Sequence, residues 1–185
     1  MRIDFIKCLS SYANKSKYYK QRHKTMKILL VSDSHSDLLT LQQVIDENKD
    51  ADLILHAGDY ITDIRKVDTH KIPFYAVMGN CDAYSSSWGN EEEYLRVGNL
   101  NTILLHGHKH LVKTSYEFIK STFYNMNVEL VVFGHTHIPV IFSEGKTLFV
   151  NPGSCSKTKA RSYPSYAIVT TDDKGDYSAK IVEIL

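Results

Sequence analysis

The chain has 185 residues, 43% of them hydrophobic, and a formal charge of +1, which suffices for one domain with its own core and gives no signal for a nucleic-acid partner. Its three cysteines, Cys8, Cys81 and Cys155, form neither a CxxC pair nor an even-numbered framework, which excludes a disulfide scaffold and points to a reducing compartment, the cytoplasm by default. The longest apolar runs are strand-sized, well short of the roughly 20 residues that a membrane-spanning helix requires, so no membrane partner is expected.

Residues 1–25 stand apart from the rest. Seven Lys or Arg face Asp4 alone there, so the segment carries +6 and residues 26–185 carry −5. Asp4 and Lys7 interrupt what would be the apolar stretch of a secretory signal. The segment reads as a flexible tail or a non-native start, with a basic arm for an acidic partner as the other reading. Met26 then opens the domain proper, 26–185.

From there, short β-branched or apolar runs at 27–32, 53–57, 74–78, 102–105, 128–133, 147–150 and 166–170 predict strands buried on both faces. After the first of them, Asp37 to Asn48 places Leu38, Leu41, Val44 and Ile45 on one helical face, with Ser36 or Asp37 as N-cap. YLRVGNLNTILL predicts a hairpin around Gly98-Asn99, and PVIFSEGKTLFV another around Glu144-Gly145-Lys146. Between the hairpins, Val112, Tyr116, Ile119, Phe123 and Met126 recur at helical spacing and predict a helix packed on a sheet. Strand, helix and strand first, then hairpins, predict an α/β fold of two stacked mixed sheets flanked by helices.

Five of these strands end in potential metal ligands. KILLV runs into Asp33 and His35, LILHA into Asp59, FYAVM into Asn80, TILL into His106 and His108, and VVF into His135 and His137. Parallel strands deliver such residues to one place beyond their carboxyl ends. Asp33 and His35, like His135 and His137, are two apart, a spacing that sends both side chains to the same face of an extended chain. Carboxylate and imidazole donors without a thiolate suit Mn, Fe, Zn or Ni better than a Cys-type structural zinc site. A single pair of this kind says little; five in order say much. Two divalent ions against two aspartates leave a site with a net charge of about +2, one that favours an anion such as a phosphate and can arm a bridging water for in-line attack on phosphorus. A zinc protease or a zinc deaminase fits poorly, since neither H-E-x-x-H nor P-C-x-x-C occurs.

The ordered set D-x-H, G-D, G-N-x-D, H-G-H and G-H-x-H resembles the calcineurin-like metallophosphoesterase superfamily. The compact size and the following Asn151-Pro152-Gly153-Ser154 resemble its small bacterial and archaeal phosphodiesterase branch, over Met26 to about Leu185. The resemblance implies a four-layer α/β/β/α sandwich with a dinuclear site. It assigns one ion to Asp33, His35, bridging Asp59 and His137, and the other to Asp59, Asn80, His106 and His135. It implies two divalent metal ions, Mn first, with Ni, Zn or Fe as the others. The implied reaction is hydrolysis of a small-molecule phosphodiester by a metal-bridging hydroxide, with Asp59 and Asn80 at the reaction centre. Phosphomonoester hydrolysis at the same centre is the alternative, and a scaffold role is a further one, since a related eukaryotic trafficking subunit keeps the fold after losing ligand residues. A homo-oligomer is compatible with all three.

One position departs from the family pattern. Many relatives carry a His directly after Gly-Asn as a candidate proton donor, and here Cys81 stands there, followed by Asp82. The proton-donor role then falls to His108, in HGHKH, or to a metal-bound water, with slow turnover of alkoxide leaving groups. His56 reads as a supporting core residue, His70 and His110 as solvated loop residues, and Cys155 as a small buried one. A Cys81 nucleophile explains none of the other clusters. Trp88 and Tyr84 fit an aromatic lip over the substrate equally well as a packed loop anchor.

Overall fold

Ile28 and Leu30 point one way along the first strand and Leu29 and Val31 the other, and all four are fully buried. A strand buried on both faces must lie between two layers, and this one does. The computed structural model describes residues 25–82 and 89–185. The basic segment up to residue 24 and the Tyr84 and Trp88 pair lie outside the described residues.

The first sheet has the order β10-β9-β1-β2-β3, built from β1 (Thr25–Val31), β2 (Leu53–His56), β3 (Phe74–Ala76), β9 (Ser165–Asp172) and β10 (Tyr177–Glu183). The second has the order β4-β5-β6-β8-β7, from β4 (Glu92–Val97), β5 (Leu100–Leu105), β6 (Leu130–Val132), β7 (Val140–Glu144) and β8 (Thr147–Asn151). β1, β2 and β3 run parallel, as do β5, β6 and β8, and the outer pairings are antiparallel. Both predicted hairpins are present.

Three apolar clusters fix four layers. Ile28, Leu30, Leu53 and Leu55 meet Leu104, Leu130, Val132 and Val150 between the sheets. Leu29, Val31 and Ile54 face α1 (Leu38–Asp46) through Leu41, Val44 and Ile45. Ile103, Val131 and Phe149 face α2 (Glu117–Phe123) through Ile119 and Phe123. The result is the α/β/β/α sandwich. Each of these large side chains contributes about 1.5–3 kcal/mol by leaving water. Asp37 caps α1, its carboxylate accepting the Thr40 N–H at 3.2 Å.

Three elements differ from expectation, the first being β3, which the sequence predicts to be buried on both faces but which lies at the edge of its sheet with Tyr75 45% exposed. The predicted helix over 112–126 is helical only at Glu117–Phe123. Val112 is buried as its spacing requires, but it is reached through a turn with Leu111 in the left-handed region, φ 54°. Ser115 accepts the Glu117 N–H at 3.1 Å and starts the helix late, and Met126 is 38% exposed beyond its end. Helical spacing marked which side chains reach the sheet without requiring one continuous helix. The third difference is β10, an edge strand with one half-covered face and no apolar run to announce it. Among the described residues no helix is long and apolar enough to cross a membrane.

Candidate metal centre

The loops after β1, β2, β3, β5 and β6 gather at one end of the two sheets, and Asp33 is their centre. Its N–H bonds to the Gly58 carbonyl at 3.0 Å and its own carbonyl accepts the Ser154 hydroxyl at 2.7 Å. Its Oδ2 accepts both the Ser32 hydroxyl at 2.6 Å and the His135 N–H at 3.0 Å. That leaves Oδ1 fully buried and without a hydrogen bond. It faces His137 Nε2 at 3.1 Å, His106 Nε2 at 3.9 Å and His35 Nε2 at 4.0 Å.

Asp59 lies between two groups of histidines. Its Oδ1 accepts the Cys81 N–H at 2.9 Å and stands 3.3 Å from His106 Nε2, while its Oδ2 stands 3.6 Å from His35 Nε2. Asp33, His35, Asp59 and His137 each offer a ligand atom within 4.8 Å of the others. His106 joins through Asp59, and His135 packs its ring edge-on to His106, with centroids 5.0 Å apart. Asn80 is the least engaged. Its neighbours Gly79 and Cys81 abut Asp59, but its own amide is exposed and rests on the Cys81 sulfur at 3.5 Å.

Tautomers follow from the carbonyls. His106 Nδ1 lies 2.8 Å from the Ala57 oxygen and His137 Nδ1 lies 2.8 Å from the Lys159 oxygen, so each Nδ1 carries the proton and each Nε2 turns a lone pair inward. His35 Nε2 and His137 Nε2 face each other at 3.3 Å. Two ring nitrogens this close, beside two carboxylates, are joined either by a proton on His35 Nε2 or by a cation between them. Divalent cations fit that donor set, and Asp33 Oδ1, His106 Nε2 and His135 Nδ1 are among the buried atoms of the described residues that have no other partner.

The protein's own charges keep the donors ready. Burial opposes ionisation of Asp33, but the contact with His137 and the nearby imidazoles outweigh it and hold the carboxyl below its usual range. Asp59 is likewise held well below that range, burial again opposing and His106 and the Cys81 N–H prevailing. Burial, then the neighbouring His106, pushes His135 down to about 4, and burial also lowers His35. His106 and His137 are raised, the former against burial by its contact with Asp59, the latter by its contact with Asp33.

The backbone gives a correction. Asp33, His35, Asp59, His135 and His137 all have left-handed φ, between 45° and 70°, so neither two-apart pair lies in an extended chain. Tight turns bring them in instead. His135 and His137 diverge, one towards His106 and the other towards Asp33 and His35. Non-glycine residues in this region cost on the order of 1 kcal/mol or more each and persist where the surroundings enforce them. Glycine is required beside them: a Cβ on Gly79 would overlap Asp59 Oδ1, and one on Gly134 would overlap the Ser32 hydroxyl.

Comparison with known proteins decides the family. The family model of the calcineurin-like phosphoesterase superfamily domain matches residues 26–174. The chain belongs to that superfamily. It is 30% identical over 149 residues to the probable metallophosphoesterase YsnB of Bacillus subtilis, covering 80% of this chain and 86% of that one. It is 26% identical over 174 residues to phosphodiesterase MJ0936 of Methanocaldococcus jannaschii, covering 85% and 100%. Vacuolar protein sorting 29 of Cryptosporidium parvum shares the fold, with a TM-score of 0.68 at 16% identity over 88% of this chain and 100% of that one.

In this superfamily member several further residues support the ligand turns, and of these Asp63 had no sequence signal of its own. Buried Asp63 accepts the Ser34 hydroxyl at 2.9 Å and the Ser36 N–H at 2.8 Å, closing the turn that holds Asp33 and His35. Asp82 accepts the Gly79 N–H at 2.9 Å and the Ile61 N–H at 3.1 Å, fixing the Asn80 turn. Asn151 donates to the Gly134 carbonyl at 2.8 Å and to Thr136 Oγ1 at 2.9 Å, so the NPGS turn does brace the histidine loop. His56 is a supporting residue as expected: its Nδ1 accepts the Gly58 N–H at 3.2 Å and its Nε2 meets Ser34 Oγ at 3.3 Å. His108 lies near the centre, 5.5 Å from His106 and 6.1 Å from His135 between ring centroids, with Nδ1 buried and unpartnered.

Four other residues were weighed as bystanders. Burial and then Asp59 push the Cys81 thiol up to about 11, which leaves no thiolate for nucleophilic attack. Cys155 is fully buried. His110 is a correction: it is 7% exposed and packed against Phe118 and Phe123, because the turn after Gly107 folds it inward. His70 is half-buried and bound by Asp46 at 2.5 Å and Asp68 at 3.5 Å, so it is not simply solvated.

Proposed function

We propose that this chain is a metal-dependent phosphodiesterase with a two-metal centre. The observation that carries the reading is Asp59, whose two oxygens face different histidines, Oδ1 towards His106 and Oδ2 towards His35. Asp33, His35, Asp59 and His137 would hold one ion, and Asp59, Asn80, His106 and His135 the other. Two such ions, Mn first and Ni, Zn or Fe as the others, supply an activated water and neutralise the charge of the phosphate oxygens.

The protein's own residues do the rest. Ser32 and the His135 N–H fix Asp33, and Cys81 N–H fixes Asp59, so both carboxylates stay ionised and aimed. The Ala57 and Lys159 carbonyls keep His106 and His137 in the tautomer that presents Nε2. Asn80, on the turn held by Asp82, has an uncharged oxygen that adds no negative charge against the substrate. His108 is assigned the proton for the leaving oxygen, and because burial and then His106 hold its pKa below the usual imidazole value, that role is fullest at acidic pH. The matching length and the named relatives support residues 26–185 as the phosphoesterase domain, with 1–25 as a basic extension outside it. A small phosphoester as partner and cytoplasmic residence complete this reading.

The test is hydrolysis of bis(p-nitrophenyl) phosphate and p-nitrophenyl phosphate with Mn, Ni, Zn and Mg, for the native chain and Asp59→Asn. The diester is expected to turn over faster, and Asp59→Asn is expected to lose about a thousandfold or more in kcat. Faster monoester turnover would favour the phosphomonoesterase. Full metal occupancy without hydrolysis of either ester would favour a scaffold, the alternative that the likeness to vacuolar protein sorting 29 keeps open.

A further inference from the structure

Two lysines reach the mouth of the centre from separate loops. Lys113 follows Val112, whose side chain closes on Gly107 so tightly that a Cβ there would lie 3.0 Å from it. The lysine therefore stands at the rim of the turn that carries His106 and His108, and its charge reaches His135 and His137. Lys159 comes from the loop after Ser154. Its carbonyl receives the His137 Nδ1 proton at 2.8 Å, and its charge reaches His35.

Both lysines are exposed, and among the described residues neither ammonium pairs with a carboxylate. Other lysines of the same half do pair: Lys109 with Glu91, Lys120 with Glu117 and Glu144, and Lys146 with Glu129. Once divalent ions fill the centre, two uncompensated ammonium groups beside it add to its positive potential, and a ligand anion offsets that excess. Lys113 also lines a surface cavity of about 510 Å³ that includes Glu117 and Lys120, whose charges pair with each other.

We infer that Lys113 and Lys159 form a second anion subsite that selects phosphodiesters bearing a further phosphate beside the scissile one. The inference rests on the phosphodiesterase reading and narrows its substrate class. A simple diester brings one negative charge, which the metal centre itself absorbs. A flanking phosphate brings about two more, matching the two ammonium groups.

A matched pair of substrates tests it: thymidine 5′-(p-nitrophenyl phosphate) and the same ester carrying a 3′-phosphate. Scissile bond and leaving group are identical, so the ratio of kcat/KM reads the subsite alone. The native metal-loaded protein is expected to prefer the 3′-phosphorylated ester by roughly tenfold, with Lys113→Gln and Lys159→Gln each removing about threefold of that preference. The preference is also expected to shrink as NaCl rises from about 0.05 to 0.5 M. Lys180→Gln, on β10, serves as the control whose ratio stays native. Equal kcat/KM in the native protein, or a preference that the double variant keeps, overturns the subsite.

If neither ester is hydrolysed although metal is bound, the phosphodiesterase reading fails, and calorimetry still reads the subsite. Thymidine 3′,5′-bisphosphate is then expected to bind the metal-loaded protein more tightly than thymidine 5′-phosphate, by a margin lost in the double variant. Equal affinities overturn the inference.

Discussion

His56 shows how a single buried side chain ties the centre to the stability of the fold. It is fully buried and bonded to Ser34 and Gly58, and burial pushes it down to about 4 from an ordinary 6.5. The folded pKa is depressed, so between about 4 and 6.5 the unfolded chain binds the extra proton. Stability is therefore fully present above about pH 6.5 and is lost as pH falls towards 4, by up to about 3 kcal/mol. His135 acts in the same direction, more weakly because it is half-exposed, whereas the raised His106 and His137 contribute stability that is lost as pH rises. Urea unfolding of the metal-stripped protein from pH 7 to 4, native against His56→Gln, isolates the residue. A flatter profile in the variant is expected; two parallel profiles would remove His56 from the account.

His108 makes a different demand. If its ring protonates the leaving oxygen, His108→Ala should slow alkyl diesters by about a hundredfold and activated aryl diesters far less. A native leaving-group dependence in the variant would end that assignment. The candidate ligands that the structure gathers were legible because Asp and His at strand ends carry their chemistry in their identity. Asp63, Ser32 and Ser154 were not, because their importance depends on the left-handed turns at Asp33 and His35, which the letters do not announce.

At the level of elements, the strands and α1 were readable for one reason. Runs such as KILLV are apolar on both faces, and Leu41, Val44 and Ile45 meet one sheet, so pattern and burial coincide. α2 and β10 failed for the converse reason: Val112 is buried from a turn, and β10 is covered on one side only. α1 also orients the loop that carries His35, since its cap, Asp37, uses Oδ1 for the Thr40 N–H and Oδ2 for the Lys157 N–H at 3.0 Å. Asp37→Ala should cost about 1–2 kcal/mol of unfolding free energy and loosen both segments. A variant with native stability and native metal affinity would show that α1 needs no such anchor.

The whole molecule is a device for bringing loop residues from two sheets to a common point. β1, β2 and β3 supply Asp33, His35, Asp59 and Asn80 from one sheet, and β5 and β6 supply His106, His135 and His137 from the other. Neither sheet alone offers a complete ligand set, so metal affinity and the packing between Leu30, Leu55, Leu104 and Val132 should rise and fall together. Two stacked sheets were legible from the order of strands, helices and hairpins, but the membership of each sheet was not. Strand runs give no information on which sheet each one joins.

The most direct measurement of the two-metal claim is an anomalous difference map from a crystal of the manganese-loaded protein. Two peaks about 3.5–4 Å apart, on either side of the Asp59 carboxylate and each within reach of its own histidines, are the predicted result. A single peak among Asp33, His35, Asp59 and His137 with nothing beside His106 and His135, or no peak at all, would contradict it.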